Sequence, residues 1–353
     1  MGETYTITIE PLGREVKCDS DQTILDACLR AGVWLPHSCT HGTCATCKCD
    51  VLDGDVDQGA ASSFALMDFE RDEGKTLTCC AKPLSDVTIE ADLDVPDELE
   101  VHPVEDFVGT IVSLDDIAKD TKRLIVQLDH PMRFNAGQYA KFQIPGHEGV
   151  DRTWSIASLP TDNDRLEFQI SNVPGGIGTD GWLFSRAKPG DQVKLSGPYG
   201  QFVLRTWEDK PIVMLGGGTG VAPLASMIRH ALENGMYEGH ITLYAGARTA
   251  EELYDVDVFR ALEEEHPDQF TYHPCVSSAE VEGYRHGWVN DVMSQDFERL
   301  TGHQAYLCGS PRMVEASLKS LMAKRLFPRD IFHEDFLNAG DKAAGVGSPL
   351  IKR

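Results

Sequence analysis

No stretch of this chain approaches the roughly 18 apolar residues of a membrane span. Its first residues, MGETYTITIE, carry acids where a secretory leader needs a basic start and an apolar core. A cytoplasmic protein is expected. Basic residues are scarce, with 32 Lys and Arg against 56 Asp and Glu and a formal net charge of −24. Nucleic acid and anionic membranes both require a basic face, so neither is an expected partner. Internal repeats are absent, as is low-complexity sequence apart from a Gly/Ala-rich tail from about Ala339, which reads as mobile. What remains is ordinary for a folded protein, 41% hydrophobic and 25% charged. Its 353 residues exceed one domain of about 100–150 and fit three. A monomer is expected.

The ten cysteines read as metal ligands and reduced thiols rather than disulfides, because the expected compartment is reducing. Cys39, Cys44 and Cys47 form C-x4-C-x2-C, followed after a gap by Cys79, which is the thiolate spacing of a plant-type [2Fe–2S] ferredoxin. Zinc sites usually pair two short knuckles, and no second knuckle follows the triplet. Gly42 and the small residues Ser38, Thr40, Thr43, Ala45 and Thr46 allow backbone N–H groups to approach sulfide. Cys79 and Cys80 both compete for the fourth ligand position, while Cys49 reads as a half-buried strand residue. Residues 1–98 hold 7 basic and 20 acidic residues, a net of −13. That charge suits either docking to a basic patch on an electron acceptor or simple solubility.

Pattern and punctuation divide the chain into segments of different rhythm. YTITI and REVKC alternate around Pro11-Leu12-Gly13 as a hairpin. A helix follows, with Ile24, Leu25, Cys28 and Leu29 on one face and Gly32 as its stop. The acidic, Pro-containing run from Asp92 to Glu98 reads as a linker. From about Val104 to Arg205, short β-rich runs separated by turns such as Asn135-Ala136-Gly137, Pro174-Gly175-Gly176 and Lys188-Pro189-Gly190-Asp191 suit an antiparallel barrel. After Asp209, the apolar strands PIVML, HITLYAG and QAYLCG alternate with helical stretches, as in a parallel α/β sheet.

Nucleotide signals lie in the second and third segments. Alternation puts Arg152 and Trp154 on one face, where a guanidinium can pair with a diphosphate and an indole can lie against a planar ring. On its own, the pair also reads as a core indole beside a surface arginine. Gly175-Gly176-Ile177-Gly178-Thr179 precedes a short helix expected over GWLFSRA and offers either an anion site or a flexible turn. Strand Ile212-Val213-Met214-Leu215 runs into Gly216-Gly217-Gly218-Thr219-Gly220 and then a helix with Leu224, Met227, Ile228, Ala231 and Leu232 on its apolar face. Such a turn admits a pyrophosphate to the backbone, although Val221 departs from G-x-G-x-x-G. Cys308-Gly309-Ser310-Pro311 ends another strand, where a lone Cys is more often buried than catalytic.

The order of these segments resembles the ferredoxin–NADP reductase superfamily fused to an N-terminal ferredoxin, and most closely the reductase components of bacterial phenol hydroxylase-type monooxygenases. The likeness rests on HGTCATCK, SSFALMDFERDEGK, PLSDVTIEADLD, HPVEDF, FNAGQY, SGPYGQF, YLCGSPRMV and RLFPRDIFHEDF. It implies a multidomain α+β and α/β fold. Residues 1–95 would form a β-grasp [2Fe–2S] ferredoxin domain, 96–103 a linker, 104–207 an antiparallel FAD-binding β-barrel, 208–338 a parallel NAD(H)-binding α/β domain and 339–353 a flexible tail. It selects Cys79, after Leu77-Thr78, as the fourth ligand beside Cys39, Cys44 and Cys47. Arg152 would bind the FAD diphosphate, Trp154 would pack beside the flavin or its ribityl chain, and Ser155 would sit near the reactive ring nitrogen. Gly176, Ile177 and Thr179 match a second flavin segment, and Gly217, Gly218, Thr219 and Gly220 match the nicotinamide-nucleotide segment. Cys308, Gly309 and Pro311 would place Cys308 close to the nicotinamide, and Phe336 would cover the flavin. The catalytic set implied is Ser155, Cys308 and Phe336.

NADH gives up two electrons as one hydride, a [2Fe–2S] cluster accepts one at a time, and FAD can do both. The implied function is therefore NADH-dependent delivery of electrons through FAD and the cluster to the oxygenase component of a phenol hydroxylase-type (di-iron) monooxygenase. The alternatives are the reductase of a Rieske aromatic-ring dioxygenase and a self-contained flavin and iron–sulfur reductase acting on a small substrate. Arg248 can pair with the 2′-phosphate of NADPH, but Glu251 and Glu252 oppose the added charge, and the resemblance favours NADH.

Overall fold

The computed structural model describes residues 2–93, 95–233, 235 and 237–336. The tail expected to be mobile lies outside them. Backbone contacts divide the chain into two compact units. One comprises the described residues up to Glu105 together with Gly197–Gln201; the other comprises Asp106–Ser196 and the described residues from Phe202 onward.

In the first unit, the alternating runs form β1 (Thr4–Glu10) and β2 (Arg14–Asp19), paired antiparallel across a turn in which Gly13 takes φ 60°. Thr23 accepts a hydrogen bond from the Asp26 amide and so caps α1 (Ile24–Arg30), whose Ile24, Leu25, Cys28 and Leu29 are buried. Gly32 follows in the left-handed region at φ 70°. The unit continues through β3 (Lys48–Asp53), β4 (Val56–Asp57), α2 (Asp68–Asp72), β5 (Lys75–Leu77), β6 (Lys82–Pro83) and β7 (Val87–Glu90). Its main sheet has the order β2-β1-β7-β3-β5, with β1 and β7 parallel, and α1 packs against β2. This is the β-grasp arrangement. Cys49, on β3, is fully buried rather than half-buried. No regular element occupies the described residues between β7 and Glu105.

The second unit is built first from β8 (Glu105–Ala118), β9 (Thr121–Leu128), β10 (Tyr139–Gln143), β11 (Asp151–Ser155), β12 (Arg165–Ser171) and β13 (Gln192–Tyr199), in the order β11-β10-β13-β8-β9-β12, with Glu105 and the last three residues of β13 falling in the first unit. Ile156, just past β11, bridges Phe168 on β12 and closes the sheet into a barrel. Phe142, Ile156, Leu166 and Phe168 fill its interior with no exposed surface.

A parallel sheet follows, built from β14 (Ile212–Gly217), α3 (Val221–Glu233), β15 (Ile241–Ala247), α4 (Val256–Glu265), β16 (Phe270–Val276), β17 (Arg285–His286), α5 (Val289–Asp296), β18 (Gln304–Gly309), α6 (Pro311–Ala323) and β19 (Ile331–Asp335). The strand order is β17-β16-β15-β14-β18-β19. Helices and apolar clusters cover both faces, which is why the central strands read as continuous hydrophobic runs. The chain grows outward from β14 in one direction and then crosses to β18 on the other side. That reversal opens a crevice at the carboxyl ends of β14 and β18, where open α/β sheets bind ligands.

Candidate functional site

The C-x4-C-x2-C loop joins α1 to β3. Thr40 and Ala45 adopt φ 53° and 62° there, left-handed values that L-residues rarely take. Gly42 takes φ 79°, and a Cβ on it would stand 2.6 Å from Cys80 Sγ and 3.2 Å from the Ala61 backbone. The wrapping turns backbone donors inward. The Cys39 amide donates to Cys44 Sγ and the Thr43 amide to Cys39 Sγ, each at 3.4 Å. Cys39 is held well below its ordinary pKa by hydrogen bonds from Cys44 and then Cys79, while Cys79 is raised by contacts first with Cys39, then with Cys47 and Cys80. The four predicted ligands are therefore brought together. Cys80 Sγ lies 3.7 Å from Cys79 Sγ, at the edge of the group. Among the described residues, no three His, Cys, Asp or Glu side chains converge as the ligands of one ion do. Thiolates around a loop with inward N–H donors fit a two-iron cluster better than a single zinc, which needs four ligands about 2.3 Å from one point.

His37, two residues before the loop's first cysteine, is 1% exposed. Its Nδ1 lies 2.8 Å from the Leu35 carbonyl, and its Nε2 accepts from the Gly200 amide at 2.9 Å. The strap Gly197–Gln201 is thereby tied into the first unit.

In the barrel, pairing of β10 with β11 sets Arg152 opposite Phe142, Trp154 opposite Ala140 and Ser155 opposite Tyr139. Trp154 stacks near-parallel on Trp182 at 6.2 Å and touches Phe142 at 4.7 Å. Ser155 is buried. The second flavin segment reaches this strand through a glycine: a Cβ on Gly178 would lie 2.7 Å from Arg152 Cγ. Gly178 is thus the small residue that the juxtaposition requires, although the motif match singled out Gly176, Ile177 and Thr179. Thr179 Oγ1 accepts from the Val173 amide at 3.1 Å and donates to the Val173 carbonyl at 3.2 Å, so its hydroxyl closes the loop. Ile177 is exposed. A single π-helical turn, Thr179–Leu183, replaces the helix expected over GWLFSRA and starts two residues earlier.

The crevice of the parallel sheet holds the third group. Gly216 pairs with Cys308 across β14 and β18. A Cβ on Gly220 would lie 2.0 Å from the Cys308 carbonyl oxygen, so only glycine lets α3 begin this close to β18. Gly309 likewise lies against the Gly217 backbone, and Phe336, half-buried, donates its amide to the Gly309 carbonyl at 2.8 Å. Pro311 opens α6 behind Ser310, whose Oγ accepts from the Met313 amide. The predicted Gly217–Gly220 and Cys308–Pro311 segments therefore meet, with Phe336 beside them. Cys308 differs in one respect: its thiol has no exposed surface, lies in an apolar cluster and has its pKa raised by burial.

A cavity of about 400 Å³ opens beside Gly217, Gly218 and Ser310. Barrel residues Lys119 and Asn172 supply part of its wall. Arg248 and Glu252 line it together, with Arg248 Nη2 donating to Glu252 Oε1 at 2.6 Å. The sequence reading missed Trp288, an indole 64% exposed on the cavity wall that can present its face to a planar base. It also missed Glu334, in register with Cys308 on β19. The Glu334 carboxyl is buried, its Oε2 has no hydrogen-bond partner, and burial followed by the neighbouring Asp335 raises its pKa from 4.5 to about 8. A carboxyl oxygen left without a partner one strand over from Cys308 is the unexplained buried polar atom nearest the crevice strands. Neither residue belongs to a periodic or glycine-rich signal, which is why pattern reading passed over them.

Two predictions follow from this geometry. Glu252→Gln removes the carboxylate that occupies Arg248, and the preference for NADH over NADPH should fall by about tenfold in kcat/KM measured with ferricyanide; an unchanged ratio would contradict the pairing. Glu334, with its folded pKa raised, contributes stability that is complete below its unfolded value of 4.5 and is lost as pH rises through about 8. Tm should therefore fall more for the native protein than for Glu334→Gln between about pH 6 and about pH 9. Equal slopes would show that Glu334 ionises normally.

Comparison with known proteins adds family evidence to this geometry. Residues 7–84 match a 2Fe-2S iron-sulfur cluster binding domain, 109–204 an oxidoreductase FAD-binding domain and 214–319 an oxidoreductase NAD-binding domain. The chain is 46% identical to the reductase component of phenol 2-monooxygenase from Pseudomonas sp. strain CF600, with 99% of each chain covered. It is 44% identical to the phenol hydroxylase P5 protein of Acinetobacter pittii, over 97% of each chain. Among solved structures, a cytochrome P450 reductase of Amycolatopsis superposes with a TM-score of 0.90 at 40% identity, covering 95% of this chain and 100% of that one. With cluster-binding, FAD-binding and NAD-binding domains in one polypeptide, this chain belongs to the family of oxidoreductases that serve as reductase components of bacterial monooxygenase systems, phenol hydroxylase reductases among them.

Proposed function

We propose that this protein carries electrons from NADH to the oxygenase component of a phenol hydroxylase-type, di-iron monooxygenase. The observation that carries the reading is the meeting of the Gly217–Gly220 turn with the Cys308–Gly309 strand end, in a chain that also gathers four thiols in a ferredoxin loop. When bound, FAD supplies the conversion of a hydride into single electrons, which a [2Fe–2S] cluster carries one at a time.

The chain's own residues bind, orient and exclude water. Cys39, Cys44, Cys47 and Cys79 hold the cluster, and the Cys39 and Thr43 amides lower the cost of its negative charge. Arg152 would hold the FAD diphosphate, with the Gly176–Thr179 backbone supplying further donors to it. Trp154, backed by Trp182, would flank the flavin, and Ser155 would lie near the reacting ring edge. Gly217, Gly218 and Thr219 receive the dinucleotide, with Gly220 and Gly309 permitting the close approach of strand and helix. Cys308 shapes the floor from beneath rather than by exposed contact, Pro311 fixes the start of α6, and Phe336 would cover the flavin ring. Glu334 keeps a proton on its carboxyl at neutral pH. Arg248, the arginine among the described residues lining the cavity, is engaged by Glu252, whose charge opposes a 2′-phosphate and favours NADH.

In this reading, residues 1–95 form the electron exit, 96–103 a linker, 104–207 the flavin domain, 208–338 the nucleotide domain and 339–353 a tail. The protein acts as a cytoplasmic monomer that binds neither nucleic acid nor membrane. Among the described residues, no helix is long and apolar enough to cross a membrane. The test is reconstitution with purified oxygenases. NADH-driven product formation is expected with the oxygenase component of a phenol 2-monooxygenase. Turnover only with a Rieske dioxygenase, or of a small substrate without any partner protein, would overturn the assignment.

A further inference from the structure

A chain of buried and half-buried polar contacts within the second unit starts and ends at the nucleotide-binding elements but passes through the barrel. It begins at Ser226 on α3, which has no exposed surface and donates to the Ser158 carbonyl at 2.7 Å, three residues past Ser155. Ser158 Oγ accepts from the Glu167 amide on β12 at 3.1 Å. The Glu167 carboxylate accepts from Arg123 Nε on β9 and from Gln169 Nε2, both at 2.9 Å, and lies 3.9 Å from Arg229 on α3. Arg123 also donates to Asp255, which accepts from Gln169 at 2.9 Å through its other oxygen. Tyr254, the residue before Asp255, donates its hydroxyl to the Gly218 carbonyl at 3.2 Å, returning the path to the turn that opens α3.

Three properties make this more than incidental packing. Two guanidinium groups balance two carboxylates, so charges that would be costly to bury singly are paired and hydrogen-bonded. Asp255, whose side chain is 6% exposed, adopts φ 54° and ψ 20° directly before α4. A non-glycine residue pays of order 1 kcal/mol to stand there, so the surrounding grip must hold it. Finally, the path ends on Gly218, itself at φ 55° on the wall of the nucleotide cavity. The barrel thus reaches the phosphate turn through a side-chain path rather than through the backbone alone.

We propose that Asp255 and Tyr254 are positioning residues that couple the flavin barrel to the dinucleotide turn. Barrel strands β9 and β12 clamp Asp255, and Tyr254 transmits that clamp to Gly218, presetting the turn for the incoming cofactor. The inference rests on the reading that NADH binds at this crevice.

The test compares Asp255→Asn, Tyr254→Phe and the double variant as flavin-loaded full-length proteins, scored by KM for NADH and kcat with ferricyanide. Each single change should raise KM about fivefold. Flavin content and kcat should be retained in both single variants and Tm in Tyr254→Phe, whereas Asp255→Asn, which takes one of its two carboxylate partners from Arg123, lowers Tm; the double variant should exceed the larger single effect on KM by less than twofold, because both act on one path. KM within twofold of native in both single variants would overturn the proposal. Effects that multiply in the double variant would also overturn it, as would losses confined to flavin content or Tm. Should Asp255→Asn fail to fold, Tyr254→Phe, which removes one hydroxyl, decides alone by the same KM criterion. A native protein whose flavin NADH cannot bleach would instead overturn the functional reading itself.

Discussion

The close approach of Gly220 to the Cys308 carbonyl is the constraint on which the nucleotide crevice depends. A methyl group at that position would stand 2.0 Å from a backbone oxygen, so α3 and β18 can meet at the strand-order reversal only because the side chain is missing. That contact aligns the glycine turn with the Cys308–Gly309 strand end, against which β19 pairs and to whose Gly309 the Phe336 amide donates. The cofactor site is therefore a consequence of sheet topology and of one absent Cβ, not of an isolated loop.

The same economy recurs at the other two sites. Gly42 admits the Cys80 sulfur and the Ala61 backbone beside the cluster loop, and Gly178 admits the aliphatic stem of Arg152 beside the flavin strand. In each case two chain segments distant in sequence must touch so that charged or sulfur ligands can converge. Positive φ at Thr40 and Ala45, residues with side chains, shows that the cluster loop accepts backbone strain to point its amides at sulfur.

Much of this architecture was legible in the residues. The strand alternation of TYTITIE, the apolar face of α3 and the glycine turn after β14 each follow from short-range periodicity, and each element formed where the pattern placed it. Cysteine spacing was equally informative, because cluster ligation imposes it. Burial was harder to read. Cys49 is fully buried rather than half-buried, while the thiol of Cys308 lies inside the core, as the residue pattern by itself favours and the resemblance does not. Trp288 and Glu334 escaped notice because neither belongs to a periodic or glycine-rich signal, and the Arg123–Glu167–Asp255 network because its partners lie far apart in the chain, where single-sequence patterns carry no information about pairing.

The acidic balance of the first 98 residues suits either docking to a basic partner or simple solubility, and charge alone cannot carry electrons. The central claim is that hydride entering at the parallel sheet leaves as single electrons at the four thiols. Anaerobic titration with NADH, followed together by visible absorbance and electron paramagnetic resonance, tests it most directly. The account predicts uptake of three electrons per chain, two by the flavin and one by the cluster, with the reduced-cluster signal appearing during the titration. A flavin that bleaches completely while the cluster stays oxidised would contradict it.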